Sequence, residues 1–192
     1  KARLPEKLWR LERWRRWMGV AEEMDDWWKL SGRVWLFGNN VDTDQILPGY
    51  AMSAPREKLR EYALAGSEQP DFAKTAKLGD VIVAGENFGC GSSREQAPAA
   101  LHEAGAGLVV ARSFARIFRR NCINIGLPVL AADLLPYVQQ GEEISADIKE
   151  GTICIAGSGS LIQAKKLSAS VLETLECGGL INKVRRQLGL GI

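Results

Sequence analysis

The chain has 192 residues, 46% of them hydrophobic, and a formal net charge of +2. That size fits one domain with an appendage, the apolar fraction is that of a globular protein, and so balanced a charge argues against a nucleic-acid binder. No stretch approaches the roughly 18 apolar residues of a membrane span, and the first residues lack the continuous apolar core of a secretory signal, so a cytoplasmic protein is expected.

In chain order, the first feature is compositional. Residues 1–23 carry seven Lys/Arg against four Glu, and five of the six Trp fall within the first 28 residues. Residues 1–30 therefore read as a Trp/Arg-rich helical extension and 31–192 as the domain proper. Leu4, Leu8, Leu11, Trp14 and Met18 recur at helical spacing, with Arg10, Arg13 and Arg16 elsewhere, which predicts a basic amphipathic helix over 5–18. A strand is predicted over 33–37, ended by Gly38-Asn39-Asn40. Asp42 to Leu47 reads as a loop or short strand, and 56–65 as a helix. The apolar run 81–84 predicts a buried strand, followed by a Gly-rich turn and a helix from Ser93 to Gly105, with Pro98 tolerated in its first turn. A second buried strand is predicted over 107–111, then a helix over 114–122 capped by Ser113. A short strand over 128–131 and a short helix capped by Asp133 follow. From 142 the pattern turns to alternation, with hairpin strands around 144–148 and 153–155 and a turn at Gly157-Ser158-Gly159. A helix from about 168 should stop at Gly178-Gly179, leaving a short amphipathic tail. Alternating strands and helices, then hairpins, predict a three-layer α/β domain.

The Gly-rich turn, Gly85 to Glu95, carries the chemistry. A dinucleotide fingerprint fails because Arg94 stands where the third Gly belongs. A phosphate-binding loop fails for want of Gly-Lys-Ser/Thr, and a nucleophile elbow for want of a closing Gly. The single histidine, His102, lies too far along the helix to pair with Ser92. What remains is glycines that let the backbone approach a ligand, two hydroxyls and a guanidinium, placed at a helix N-terminus. That is a cradle for a carboxylate or phosphate; otherwise it is a Ser-capped helix with Arg94 in a surface ion pair. The four Cys, at 90, 122, 154 and 177, form no C-x-x-C pair and fit reduced thiols.

The run Gly85-Glu86-Asn87-Phe88-Gly89-Cys90-Gly91-Ser92-Ser93-Arg94-Glu95 resembles the signature of the aconitase swivelling-domain family, isopropylmalate isomerase small subunits among them. Val41-Asp42-Thr43-Asp44-Gln45-Ile46-Leu47-Pro48 is similar to the family's Asp-Thr-Asp loop. Ser113 to Asn121 and Asn124 to Pro128 are similar to its downstream helix and turn. The segments stand in family order across about 32–188. The resemblance implies a three-layer β/β/α swivelling domain that works as the small subunit of a hydro-lyase. Isomerisation of 2-isopropylmalate to 3-isopropylmalate through 2-isopropylmaleate is the activity it implies first. A methylmalate, dimethylmalate, citraconate or homoaconitate hydratase is the alternative within the class. A non-catalytic anion-binding module is the alternative outside it.

By resemblance Ser92 is the base, and Ser93 and Arg94 grip a substrate carboxylate. Asp42, Thr43, Asp44, Gly89, Cys90, Gly91 and Gln96 support the site. The family's Lewis acid is a [4Fe-4S] cluster held by three cysteines; this chain has no such set, so the cluster is expected on a separate large subunit, in a heterodimer or heterotetramer. Cys90 reads as small filler rather than ligand, so no metal is assigned to this chain. Asp42 and Asp44 either pair with arginines or form an Asx-turn. Gln96 stands where the family usually has His, and cannot carry charge. By resemblance the loop Tyr50-Ala51-Met52 selects substrate and Met52 favours an apolar substituent; otherwise it is simply a mobile loop, and Arg56 is either a further carboxylate ligand or a helix-surface residue. Arg116, Arg119 and Arg120 read as solvated or structural. Residues 1–23 match nothing in the family, and Met24 stands near its usual start. They read as an interfacial helix, a packed extension, or a segment foreign to the native chain.

Overall fold

The computed structural model describes residues 27–190. The amphipathic helix expected over 5–18 lies outside the described residues. Strand β1 (Lys29–Leu36) joins the parallel and antiparallel halves of one seven-stranded sheet. Its second half pairs in parallel with β2 (Val81–Ala84), followed outward by β3 (Leu108–Ala111) and β4 (Val129–Ala131). Its first half pairs antiparallel with β5 (Glu143–Asp147), followed by β6 (Thr152–Ile155) and β7 (Leu161–Gln163). Gly32 falls in the β5-paired half, close to where the pairing changes, and a Cβ there would overlap the Gly79 carbonyl. Close backbone approach is what admits only glycine at such a corner.

The period of two in β2 and β3 divides their side chains between two cores. Val81, Val83, Leu108 and Val110 meet Ile144, Ile153 and Ile155 of the antiparallel half. Ile82, Ala84, Val109 and Ala111 meet the helices through Ala97, Leu101, Phe118 and Cys122. The result is the expected three-layer β/β/α domain. It explains why these strands are apolar without alternation: both faces are covered. Each fully buried Val, Leu or Ile stabilises the fold by roughly 1.5–3 kcal/mol. Burial also raises the Cys122 thiol pKa far above its ordinary value.

Several local expectations are corrected. Asp42 to Leu47 is neither loop nor strand: Thr43–Ile46 forms one helical turn, α1, with the Asp42 carboxylate accepting from the Gln45 N–H at 2.8 Å. The helix expected over 56–65 is a 3-10 helix, Arg56–Tyr62, and it cannot run on to 65 because Leu64 takes φ +60 and donates its N–H to Ile46 instead. After the short α2 (Phe72–Thr75), the helix expected from Ser93 begins at Gln96 (α3, Gln96–Ala104). Pro98 sets that start, since its ring would clash with the Arg94 carbonyl if Arg94 were helical. Ser113 does not cap the next helix, α4 (Arg116–Ile125); its hydroxyl accepts from the Asn87 N–H at 2.8 Å, and no side chain caps α4. Asp133 opens no helix, and its carboxylate accepts from Arg112 at 2.6 Å. The helix expected from about 168, α5 (Ala169–Glu176), does stop before Gly178 and Gly179, at φ +70 and +115, and the tail forms a further helix, α6 (Leu180–Gln187).

Candidate active site

Parallel strands deliver their carboxyl ends to one edge of a sheet, where ligands of open α/β sheets commonly bind. Here β1 leads into α1, β2 into the Gly-rich turn, and β3 into the start of α4. The turn is held from both sides. Toward β1, Gly89 donates its N–H to the Val41 carbonyl and Thr43 donates to the Cys90 carbonyl, both at 2.8 Å. Toward β3, Phe88 donates to Ser113 and Ala115 donates to Phe88, both at 3.0 Å. Two of its glycines are obligatory. Gly89 has φ +75, and a Cβ there would overlap the Phe118 ring. Gly91 has φ +93, with a Cβ position 3.1 Å from Thr43 Oγ1.

This frame fixes Arg94. Its Nη1 donates to Asp44 Oδ1 at 2.6 Å and to the Leu47 carbonyl at 3.1 Å. The Arg94 side chain is 15% exposed while Asp44 is 61% exposed. The two aspartates thus divide the roles left open by the sequence: Asp42 makes the turn and Asp44 pairs with the arginine. Neither Ser92 nor Ser93 uses its hydroxyl in a hydrogen bond among the described residues, and both are exposed. Thr43 Oγ1 is buried without a partner beneath the turn. Cys90 is half-buried, and its thiol pKa is raised, first by burial and then by the Asp42 charge. It is therefore a protonated thiol at neutral pH, which fits small filler.

Ser92, Ser93 and Arg94 line a cleft of about 210 Å³ between the Gly-rich turn and the first turns of α4. The helix end at this cleft is the N-terminus of α4, because α3 starts beyond Arg94. Gly89 and Gly91 form its floor with Phe118. The structure does not bring Tyr50, Met52 or Arg56 into the cleft. Tyr50 is 69% exposed and stacked edge-on against Tyr62, and Met52 and Arg56 are exposed on the neighbouring 3-10 turns. Gln96, half-buried, opens α3 and makes no side-chain hydrogen bond among the described residues. Arg116, Ile117 and Asn121 do line the cleft, although Arg116 reads as solvated or structural from sequence. A signal for Asn121 was present: it shares the apolar face of α4 with Phe118 and Cys122, where an amide needs a reason.

The four cysteines stand on separate elements: Cys90 in the turn, Cys122 in α4, Cys154 in β6 and Cys177 after α5. Among the described residues no group of three His, Cys, Asp or Glu converges to hold a metal. These residues do not fit a three-cysteine cluster. No described helix is long and apolar enough to cross a membrane.

A folded mixed sheet with a Gly-Cys-Gly-Ser-Ser-Arg turn at its parallel edge defines a swivelling domain of the aconitase class, and residues 39–133 match the model of the aconitase C-terminal domain. The chain belongs to the family of small subunits of isopropylmalate dehydratase type. It is 47% identical to the methanogen homoaconitase small subunit of Methanothermobacter thermautotrophicus, over 85% of this chain and 95% of that protein. It is 46% identical to the 3-isopropylmalate dehydratase small subunit of Aquifex aeolicus, over 83% and 96%. A crystal structure of 3-isopropylmalate dehydratase from Methanocaldococcus jannaschii superposes with a TM-score of 0.79 at 39% identity, covering 84% of this chain and 96% of that one.

Proposed function

We propose that the chain is the small subunit of a hydro-lyase that isomerises 2-isopropylmalate to 3-isopropylmalate by loss and re-addition of water. The observation that carries the reading is the pair of hydroxyls, Ser92 and Ser93, unpartnered among the described residues, beside an Arg94 guanidinium paired with Asp44. Elimination needs a base for a weakly acidic C–H next to a carboxylate. Serine is too weak an acid to serve as alkoxide in water. Arg94, Arg116 and the α4 N-terminus put positive potential around Ser92, which favours the alkoxide. Ser92 Oγ takes the proton from the carbon beside the carboxylate, hydroxide leaves the neighbouring carbon, and re-addition with the two carbons exchanged gives the isomer. Ser93 and the Nε and Nη2 of Arg94, which make no hydrogen bond among the described residues, hold the carboxylate in place. A Lewis acid that assists hydroxide departure, a [4Fe-4S] cluster in this reading, belongs to a larger partner subunit.

Substrate choice in this reading rests on the exposed loop Tyr50-Ala51-Met52, which would meet the alkyl substituent once the partner closes the site. A second reading, hydration on a homoaconitate backbone, is favoured by the 47%-identical relative named as a homoaconitase small subunit. Anaerobic co-expression with a cluster-bearing large subunit tests both, by assaying hydration of isopropylmaleate, citraconate and cis-homoaconitate. Activity is expected only with both chains, with isopropylmaleate preferred, and Ser92→Ala should lower kcat by about 10³-fold. Wild-type turnover by Ser92→Ala would overturn the base assignment, and preference for cis-homoaconitate would select the second reading.

A further inference from the structure

The first turns of α4 line the cleft together with Ser92, and nothing in the reading above gives them a role beyond potential. Three independent observations meet there. The helix has ten residues and no side-chain cap, so its first N–H groups have no acceptor within the helix and face the cleft. Arg116, the first helical residue, is exposed and forms no ion pair among the described residues. Asn121 is only 6% exposed, yet its carboxamide makes no hydrogen bond among the described residues, and it too lines the cleft. Its polar atoms are not among the fully buried ones without a partner, so the access they keep is to the cleft that Asn121 lines, where they can bond an entering group.

The charge of the wall decides what that is. Arg94 is already balanced in part by Asp44, whereas Arg116 is not, and no Asp or Glu lines the cleft. An unbalanced guanidinium, an uncapped helix N-terminus and an amide donor together fit a carboxylate. We propose that the α4 N-terminus, with Arg116 and Asn121, is a second carboxylate position of the site, facing the Ser93–Arg94 position across the cleft. It requires the substrate to be a dicarboxylic acid and fixes its direction across Ser92. The inference rests on the hydro-lyase reading for the identity of the acid, but the position itself is a property of this chain.

Arg116→Gln and Asn121→Ala in the assembled enzyme test it, with Ser92→Ala alongside. Each should raise KM for the hydroxy-dicarboxylate and the inhibition constant of succinate by about tenfold, the size of one lost charge-assisted hydrogen bond. Inhibition by propionate, which fills one position only, should not change. In the free chain, succinate should shift the Asn121 side-chain amide NMR signal of the wild type and not that of Arg116→Gln. Unchanged succinate inhibition in Arg116→Gln, an exposed residue whose replacement leaves the fold intact, overturns the proposal even if Asn121→Ala fails to fold. Equal weakening of succinate and propionate overturns it as well. If Ser92→Ala turns over normally, the hydro-lyase reading falls separately, and the succinate titration still decides the carboxylate position.

Discussion

The two halves of the sheet share β1 and a common core but do different work. In the parallel half, β1, β2 and β3 run the same way, so three loops converge at one edge and every residue of the cleft follows a strand end or lies on α4. In the antiparallel half, β5, β6 and β7 alternate in direction and no such edge exists; its inward Ile144, Ile153 and Ile155 serve to cover the second face of β2 and β3. Strand direction, rather than burial or stability, decides which half can build a site.

Substitutions in the two halves should therefore fail differently. The largest effect is expected from Gly89→Ala. Its φ of +75 and the overlap with Phe118 force the turn to move, costing on the order of 3 kcal/mol and abolishing activity even where the chain still folds. Circular dichroism and turnover read together would show this. Ile153→Ala should cost a similar amount, about 3 kcal/mol in denaturant unfolding, because its side chain is fully buried. Its kcat and KM below the unfolding range should match wild type; a raised KM would mean that the antiparallel half shapes the cleft after all. Asp44→Asn should leave the melting temperature unchanged and raise KM by about three- to fivefold, since it loosens an arginine held by an exposed partner.

The smallest effect belongs to the antiparallel half's periphery. The Glu150 carboxyl pKa lies below its ordinary value because Lys166 donates to it at 2.9 Å. A lowered carboxyl pKa adds stability above the unfolded-state value, and that contribution is lost as pH falls through the folded value. Any difference in melting temperature between wild type and Lys166→Ala should be small at pH 7 and vanish well below about pH 4. A difference that grows in acid would contradict the pairing.

Much of this was legible in the sequence, for physical reasons that also mark where legibility ends. The runs Val81–Ala84 and Leu108–Ala111 are apolar without a break, which only a strand covered on both faces explains at that length. The Gly-rich turn was legible because Gly89 and Gly91 do jobs that no other residue can do. One-turn elements were not: α1 is too short for periodicity, and its only signal is the Asp42 cap. The start of α3 was misplaced because Ser93 is a good cap by type, while Pro98 excludes that start by geometry. Ser113 and Asp133 were misread for a related reason, their oxygens being engaged by Asn87 and Arg112 from distant parts of the chain. Arg116 and Asn121 entered the site only through packing, because their place in the cleft with Ser92 depends on how β3 and α4 lie against the turn.

The backbone bonds on both flanks of the Gly-rich turn make it, in effect, a further rung of the parallel sheet. Its order is then a consequence of folding and is complete before any ligand or partner arrives. The amides of Thr43, Phe88, Gly89 and Ala115 should resist hydrogen exchange in the free chain nearly as well as those of β2. Association with a larger subunit would then lose little conformational entropy on this side of the interface.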